Sequence, residues 1–159
     1  MATKRTTKSG LSVKVKRLTA NAVLPEKKTE GAACFDIVAN ETVAIRNLNA
    51  DDKATRVHTG LAFEIPEGYH MKVFLRSSTG DKTKLRLANQ TGIIDSDYRG
   101  ELMLLIENLG RERVFIAEGQ RIAQGMIEKN EDFFFEEVKE LSETERGAGG
   151  FGSTGKGAK

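Results

Sequence analysis

Residues 56–75 read Arg-Val-His-Thr-Gly-Leu-Ala-Phe-Glu-Ile-Pro-Glu-Gly-Tyr-His-Met-Lys-Val-Phe-Leu. Two short apolar-rich runs, residues 56–65 and 69–75, stand on either side of Pro66-Glu67-Gly68. Proline and glycine favour tight turns, and runs of this length that are rich in β-branched and aromatic residues are typical of strands. The stretch therefore predicts two strands joined by a turn, and a β fold for the chain.

Similar runs continue in both directions along the chain. In residues 11–18, Val13, Val15 and Leu18 stand against Lys and Arg in steps of two, which is the period of a strand and not of a helix. Further runs occupy residues 34–38, 42–45, 85–87, 102–108, 114–116, 121–127 and 133–138. A Ser-Ser-Thr cluster predicts a short helix near residues 77–83. Turn signals at this spacing predict an all-β barrel or sandwich.

The length and the ends of the chain predict one domain. A chain of 159 residues can bury roughly two-thirds of its unfolded surface around one core. We expect a β-barrel domain over residues 11–141. Residues 1–10 are basic and lack an apolar signal region, which predicts a disordered lead-in, with a transit peptide as the alternative. Residues 142–159 are expected to form a mobile tail, because six of the sixteen glycines fall in the last thirteen residues.

The charge balance argues against two classes of partner. The chain has 25 basic and 23 acidic residues, a net charge of +2. This balance favours neither a nucleic-acid nor a membrane partner, and leaves a small nucleotide possible. The single cysteine, Cys34, cannot form an internal disulfide, and no stretch approaches the 18 apolar residues of a membrane span. We expect a cytoplasmic protein.

Residues 91–102 place two carboxylates, a phenol and a guanidinium between two apolar arms. The pattern predicts a hairpin tip, with Asp95 and Asp97 on one face if the lead-in is extended. Asp-Ser-Asp could equally serve only to turn the chain, because short polar side chains bond to their own backbone in turns.

Other polar residues are candidates for binding. Arg76, Ser77 and Ser78 at a strand end could bind phosphate, or cap a helix. Asn89 could read a pyrimidine edge, or form a turn. Asp36 could bind a ligand, or accept hydrogen bonds from loop amides, and Gln124 could contact a partner, or be an ordinary exposed polar residue of a strand.

The glycine-rich tail mimics two phosphate-binding patterns. Gly147-x-Gly149-x-x-Gly152 resembles a dinucleotide fingerprint, and Gly150-x4-Gly155-Lys156 resembles a P-loop. Both patterns require a following helix, yet only three residues follow the lysine. Neither pattern is therefore adopted.

Taken together, five segments in order resemble the motifs of the trimeric dUTP nucleotidohydrolase (dUTPase) family: residues 31–37, 75–80, 91–102, 119–124 and 146–155. The last matches the family's Arg-Gly-x-Gly-Gly-Phe-Gly-Ser-Thr-Gly essentially letter for letter. Departures occur at Ala33 for glycine, Leu75 for proline, Ser78 for glycine and Gln120 for an acid. The resemblance implies a jelly-roll-like distorted β-barrel in a homotrimer, with the tail closing over the active site.

The resemblance also implies roles for single residues. Asp95 would activate water for attack on the α-phosphorus of dUTP, giving dUMP and pyrophosphate, with Mg²⁺ as cofactor and Asp36 near the metal through water. The implied substrate contacts are Arg76, Ser77, Ser78, Asn89, Gly92, Ile94, Tyr98, Gln124, Arg146, Phe151, Gly152, Ser153 and Thr154. Among these, Phe151 would stack on uracil and Tyr98 would lie under the deoxyribose. Arg121 is expected to hold the trimer or the aspartate network.

Two other functions remain open. The Arg76-Ser77-Ser78 sequence also occurs in the related dCTP deaminases, but their catalytic glutamate corresponds to Leu105 here. A protein that binds dUTP and signals through a partner is the second alternative.

Overall fold

The computed structural model describes residues 10–48 and 53–150. Within them lie ten strands and one short helix: β1 Lys14–Arg17, β2 Phe35–Val38, β3 Val43–Ile45, β4 Thr55–Glu64, β5 Tyr69–Leu75, α1 Ser77–Lys82, β6 Leu85–Leu87, β7 Gly92–Ile94, β8 Glu101–Asn108, β9 Val114–Ile116 and β10 Arg121–Lys129.

The strands form two four-stranded antiparallel sheets and one two-stranded sheet. The first sheet has the order β1-β4-β8-β6, the second β2-β10-β5-β7, and β3 pairs with β9. In β8 burial alternates with a period of two, since Leu102, Leu104, Ile106 and Asn108 are buried and their neighbours are half-buried. Side chains from all three sheets join one apolar core. The expected all-β, jelly-roll-like fold is confirmed.

The predicted turn and helix are both present. The Tyr69 amide donates to the Pro66 carbonyl at 3.2 Å, and Gly68 has a φ of +79°, a conformation that side chains other than glycine rarely adopt. The N-cap of α1 is Arg76, whose side chain makes no capping bond, so the serines do not cap the helix as expected. The helix is instead anchored by the Thr79 hydroxyl, which donates to the Ile122 carbonyl at 3.1 Å.

The prediction of a hairpin at residues 91–102 was wrong. Strand β7 pairs with β5, whereas β8 pairs with β4 and β6, so the two apolar arms belong to different sheets. The polar loop between them crosses from one sheet to the other. Ile94 is half-buried against the core, and pairing with β5 completes the second sheet.

The predicted strand at residues 133–138 is also absent. Strand β10 ends at Lys129, and residues 130–150 contain neither helix nor strand. The apolar residues that predicted the strand do not pack against any helix or strand of the described chain, since Phe133, Phe134 and Phe135 are 75%, 84% and 92% exposed. The described part of the chain contains no helix with the length and apolar character needed to cross a membrane.

Candidate active site

Asp95 lies just beyond the end of β7. Ile94 pairs with Met71 of β5, and the chain then turns, with the Tyr98 amide donating to the Asp95 carbonyl at 3.3 Å. Because the extended strand ends at Ile94, Asp95 and Asp97 are not on one face of a strand. They sit in an exposed turn, so the segment does turn the chain, as the plainer interpretation held.

Tyr98 folds back over the loop that carries it. Its hydroxyl donates to the Glu101 carbonyl at 3.0 Å, and a Cβ at Gly100 would collide with the tyrosine ring. The Arg99 guanidinium closes the same loop by donating to the Ser96 carbonyl at 2.7 Å. The aromatic side chain is therefore held by local geometry that only glycine at position 100 permits.

The loop borders a cavity of about 440 Å³ between the two sheets. Four of its lining residues were predicted substrate contacts and one the predicted base: Asn89, Gly92, Ile94, Tyr98 and Asp95. Gly92 is buried beside Val73, and a Cβ there would lie 3.3 Å from the Val73 side chain. A cavity of this size with few polar groups is typical of a small-molecule site.

A second, more polar cleft of about 780 Å³ opens on the other side of Asp95. Its lining includes His70, Asp97, Arg99 and Asn130. Asp95 lines both the cavity and the cleft.

A separate cluster forms around Asp36. Its carboxylate oxygens lie 3.0 Å from Nε of Arg76 and 2.9 Å from Nη1 of Arg121. The Asp36 side chain is only 13% exposed, so the two guanidinium groups compensate a largely buried charge. Arg121 thus belongs to the aspartate network, which was one of its two expected roles.

Gln124 and the serines of α1 stand next to this cluster. Gln124 pairs with Asp36 across β10 and β2, and its amide donates to the Leu75 carbonyl at 3.3 Å. Ser77 is exposed and Ser78 half-buried in the first turn of α1. Four of the predicted substrate contacts, Arg76, Ser77, Ser78 and Gln124, therefore lie at one end of the second sheet.

The two clusters are far apart within one chain. Asp95 lies level with the His70 end of β5, whereas Arg76 follows the other end at Leu75. Six residues of strand separate them, which corresponds to about 20 Å. One chain by itself therefore does not bring Asp95 and Arg76 together.

The tail residues are only partly described. Arg146 is exposed, and its Nε donates to the Gly149 carbonyl at 2.8 Å in a local turn. It contacts neither cluster in the described chain. The predicted contacts Phe151, Gly152, Ser153 and Thr154 lie outside the described residues.

His58, which has no predicted role from the sequence, contacts a residue of the candidate site. Its Nδ1 lies 2.8 Å from Oε2 of Glu101, the residue whose carbonyl holds Tyr98. This hydrogen bond to the Glu101 carboxylate raises the pKa of His58 above 6.5, with burial opposing the shift. No spacing rule could have found the contact, because His58 and Glu101 meet across a register shift between β4 and β8.

Metal-binding potential is limited to individual side chains. In residues 10–48 and 53–150, no group of three or more His, Cys, Asp and Glu side chains is arranged to hold an ion. Asp36 already has an arginine at each carboxylate oxygen. This donor set is compatible with Mg²⁺ held mainly by substrate phosphates and water, as Mg²⁺ often is, and only indirectly by Asp36.

Comparison with known proteins places the chain in a family. A family model described as dUTPase matches residues 20–155. A deoxyuridine 5'-triphosphate nucleotidohydrolase of Wolinella succinogenes is 41% identical over 146 residues, 92% of this chain and 95% of the relative. The corresponding protein of Bdellovibrio bacteriovorus is 44% identical over 147 residues, 92% of this chain and 97% of the relative.

Solved structures agree with the sequence comparison. The dUTPase of Staphylococcus bacteriophage 80alpha with dUpNHpp has a TM-score of 0.77 at 31% identity, covering 91% of this chain and 98% of its own. A mutant dUTPase from phage phi11 of S. aureus, whose structure details the coordination of a structural Mg(II) ion, has a TM-score of 0.70 at 26% identity, covering 82% and 98%. The chain therefore belongs to the dUTPase family.

Proposed function

We propose that this chain hydrolyses dUTP to dUMP and pyrophosphate, which removes dUTP from the nucleotide pool and supplies dUMP for thymidylate synthesis. The observation that carries the proposal is Asp95 at the rim of a nucleotide-sized cavity, beside Asn89, Gly92 and Tyr98. Relatives named for this activity cover nearly the whole chain, and a similar structure holds dUpNHpp.

The cavity would bind the deoxyuridine part of the substrate. Asn89 can both donate and accept, which suits the edge of a pyrimidine, and Gly92 and Ile94 form the backbone beside it. The Tyr98 ring, held over Gly100, would pack under the deoxyribose and leave no room for a 2′-hydroxyl. The selection of a deoxynucleotide over a ribonucleotide would then depend on the position of this ring.

Asp95 would act as the general base. Its carboxylate lies between the cavity and the open cleft, where it can hold a water molecule on the solvent side of the α-phosphorus. Taking the proton as that water attacks contributes typically about 10²–10⁴-fold to the rate. The departing group would be pyrophosphate.

The phosphates would be bound by the cluster around Asp36. Arg76, Ser77, Ser78 and Gln124 lie together there, and Asp36 orients the arginine through a 3.0 Å ion pair. Arg146, Ser153 and Thr154 would add phosphate contacts from the tail, with Phe151 and Gly152 covering the base. Arginine suits this role because its planar guanidinium binds phosphate oxygens in pairs.

Magnesium would enter with the substrate. When bound by the three phosphates, Mg²⁺ offsets their charge and restricts their geometry. Asp36 is the residue of this chain that would face the ion, through water. The two acidic residues that line the cavity have other roles: Asp95 would take a proton from water, and Glu101 accepts the Gly60 amide.

We further propose that the enzyme is a homotrimer. The separation of about 20 Å between Asp95 and Arg76 supports a site that combines the cavity of one copy with the phosphate cluster of another. Residues 133–135 also expose three phenylalanines, which favours burial against a second copy of the chain. An apolar groove of about 590 Å³, lined by Leu11, Val13, Leu24 and others, is exposed as well.

The test is pyrophosphate release with Mg²⁺ from dUTP, dCTP, dTTP and UTP, with the base identified in each product. Release from dUTP alone, yielding dUMP, is the expected result. Release from UTP at a similar rate would contradict the assigned role of Tyr98. Binding of dUTP without turnover would instead favour the signalling alternative.

Deamination of dCTP is the remaining alternative, and the cavity does not favour it. Leu105 occupies the position at which dCTP deaminases carry their catalytic glutamate, and it lines the cavity as a half-buried aliphatic side chain. An aliphatic group cannot transfer the protons that deamination requires.

A further inference from the structure

Glu101 connects the loop that carries Asp95 and Tyr98 to the neighbouring strand β4. Its Oε1 accepts a hydrogen bond from the Gly60 amide at 2.8 Å, and its Oε2 lies 2.8 Å from Nδ1 of His58. Both partners lie where the pairing of β4 with β8 shifts register, between His58 and Ala62. At this register shift the Glu101 carboxylate therefore accepts the hydrogen bond of the Gly60 amide in place of a backbone carbonyl.

The same residue sets the position of the tyrosine. The Glu101 carbonyl accepts the Tyr98 hydroxyl at 3.0 Å, and Glu101 itself lines the 440 Å³ cavity beside Tyr98 and Asp95. The other bonds of the loop, such as Arg99 to the Ser96 carbonyl, are internal to it. Glu101 therefore links the Tyr98 side chain to the first sheet, through its carbonyl on one side and its carboxylate on the other.

We propose that Glu101 and His58 are positioning residues that hold Tyr98 for the nucleotide, and that protonation of His58 strengthens nucleotide binding. The proposal deepens the proposed function and rests on it, because Tyr98 matters in this way only if the cavity binds a deoxynucleotide. Neither residue is assigned contact with the reacting atoms. Both act on the nucleotide through Tyr98.

Charges from three directions act on the His58 ring. Glu101 of β8 faces its Nδ1, and Glu41, in the connection between β2 and β3, accepts the His58 backbone amide at 3.2 Å. Arg56, two residues away on β4, opposes protonation. The carboxylates outweigh the arginine and the partial burial, so the protonated ring is favoured and the pKa of His58 is raised above 6.5.

Protonation changes the strength of the connection. A neutral imidazole can donate a hydrogen bond to the Glu101 carboxylate, whereas an imidazolium donates the same bond and adds the attraction between a full positive and a full negative charge. A stronger bond restrains Glu101, and through its carbonyl Tyr98, before the nucleotide arrives. Less ordering is then required on binding, so affinity should be higher below the pKa of His58.

Thermodynamic linkage supplies a test that does not need turnover. If protonation of His58 tightens nucleotide binding about threefold, nucleotide must raise the pKa of His58 by about 0.5 unit. The chain has two histidines, so the ring signals can be followed by NMR and assigned with a His58→Asn variant. The measurement is the His58 titration with and without the α,β-imido analogue of dUTP, a probe that is not hydrolysed.

Kinetics of matched variants give the second readout. His58→Asn keeps a neutral donor near the position of Nδ1, and Glu101→Gln keeps an acceptor for the Gly60 amide, so both should fold. We expect each to have a KM for dUTP about threefold above wild type at pH 6, equal to it near pH 8.5, with kcat within twofold throughout. The double variant should show no further loss.

Lys14→Gln is the matched control. It breaks another cross-strand ion pair of β4, the 2.6 Å contact between Lys14 and Glu64, which lies away from the cavity. Its KM ratio to wild type should not change with pH. Ratios are used because the terminal phosphate of dUTP itself titrates in this range.

Three outcomes would overturn the proposed positioning role. An analogue that binds without moving the pKa of His58, or a KM ratio independent of pH, overturns the positioning role while leaving dUTP hydrolysis intact. A variant that loses kcat with KM unchanged also overturns it, in favour of a direct role in the reaction. Wild-type protein that neither binds the analogue nor hydrolyses dUTP at any pH removes the proposed function and this inference together.

Discussion

Asp95 and Arg76 stand at opposite ends of the same strand, β5. Ile94, next to Asp95, pairs with Met71 near the start of β5, and Arg76 follows Leu75 at its end. The separation of about 20 Å is longer than three linked phosphates can span. If one nucleotide contacts both residues, as proposed, Asp95 and Arg76 of the same chain must serve two different sites of an assembly.

Mixed assemblies should restore activity to two inactive variants. Asp95→Asn removes the base, and Arg76→Ala removes a phosphate contact. If each site takes these residues from different copies, subunits of the two kinds will form some sites that contain neither change. We expect each variant alone to be nearly inactive, and a sample mixed, unfolded and refolded together to recover a measurable fraction of wild-type activity.

The control is a refolded mixture of Asp95→Asn with Asp95→Ala, which should stay inactive. No recovery in the first mixture, with mixed assemblies demonstrated by mass spectrometry, would show that one copy supplies both residues.

Asp95→Asn should separate turnover from binding. The amide is nearly isosteric with the carboxylate but cannot take a proton from water. We expect kcat to fall at least about 10²-fold, while the Kd for the imido analogue of dUTP changes by less than threefold. Calorimetry and pyrophosphate release measure the two quantities. Asp97→Asn is the matched control and should retain most of the activity.

Gly100→Ala should impair binding through Tyr98. The new Cβ would overlap the tyrosine ring, so the ring must leave its place over residue 100. We expect a rise in KM for dUTP and a smaller difference between dUTP and UTP, since the ring would no longer exclude a 2′-hydroxyl. Gly80→Ala, a position at which a Cβ meets nothing within 4 Å, is the control.

The His58–Glu101 pair should make stability depend on pH. The pKa of His58 is raised in the folded state, so its stabilising contribution is fully present below the unfolded pKa of about 6.5 and is lost as pH rises through the folded pKa. The His58 side chain is 45% exposed, so we expect less than about 1 kcal/mol.

Urea unfolding at fixed protein concentration measures this contribution, because an oligomer's midpoint depends on concentration. Wild type should exceed His58→Asn at pH 5.5, and the two should converge near pH 8.5. A difference that grows with pH would contradict the assigned direction of the pKa shift.

Phenylalanines 133–135 should hold the copies together. They are 75%, 84% and 92% exposed in the single chain, which is unusual for three consecutive aromatic side chains. Replacing all three with serine should weaken the assembly and lower activity with it, as seen by light scattering after size exclusion. Truncation before Arg146 should lower activity and leave the assembly intact. A truncated protein that is monomeric would show that the tail is structural.

The local character of this fold could be read from the sequence. The apolar positions in steps of two at residues 13–18, the turn at Pro66-Glu67-Gly68 and the break at Ser77 depend on interactions between near neighbours. The presence of most strands could be predicted from such patterns, and the motifs around Asp36, Arg76 and Asp95 could be recognised in the same way. These features need only a few adjacent residues to be recognised.

Which strands pair with each other could not be predicted from these short-range patterns. The apolar arms of residues 91–102 predicted a hairpin, but Ile94 pairs with Met71 of β5 and packs against the core from the second sheet. Residues 133–138 carry a strand-like pattern, yet a strand forms only where a partner offers backbone bonds and apolar contact.

What the sequence alone determined is the class of fold and the family, because both are encoded in spacing and residue type; the same motifs carry the prediction that Asp95 is the reacting residue. Only the tertiary structure decided that His58 meets Glu101 across a register shift and that Asp95 and Arg76 lie near opposite ends of β5. Both depend on the alignment of strands distant in sequence, and that alignment follows from packing of the whole core.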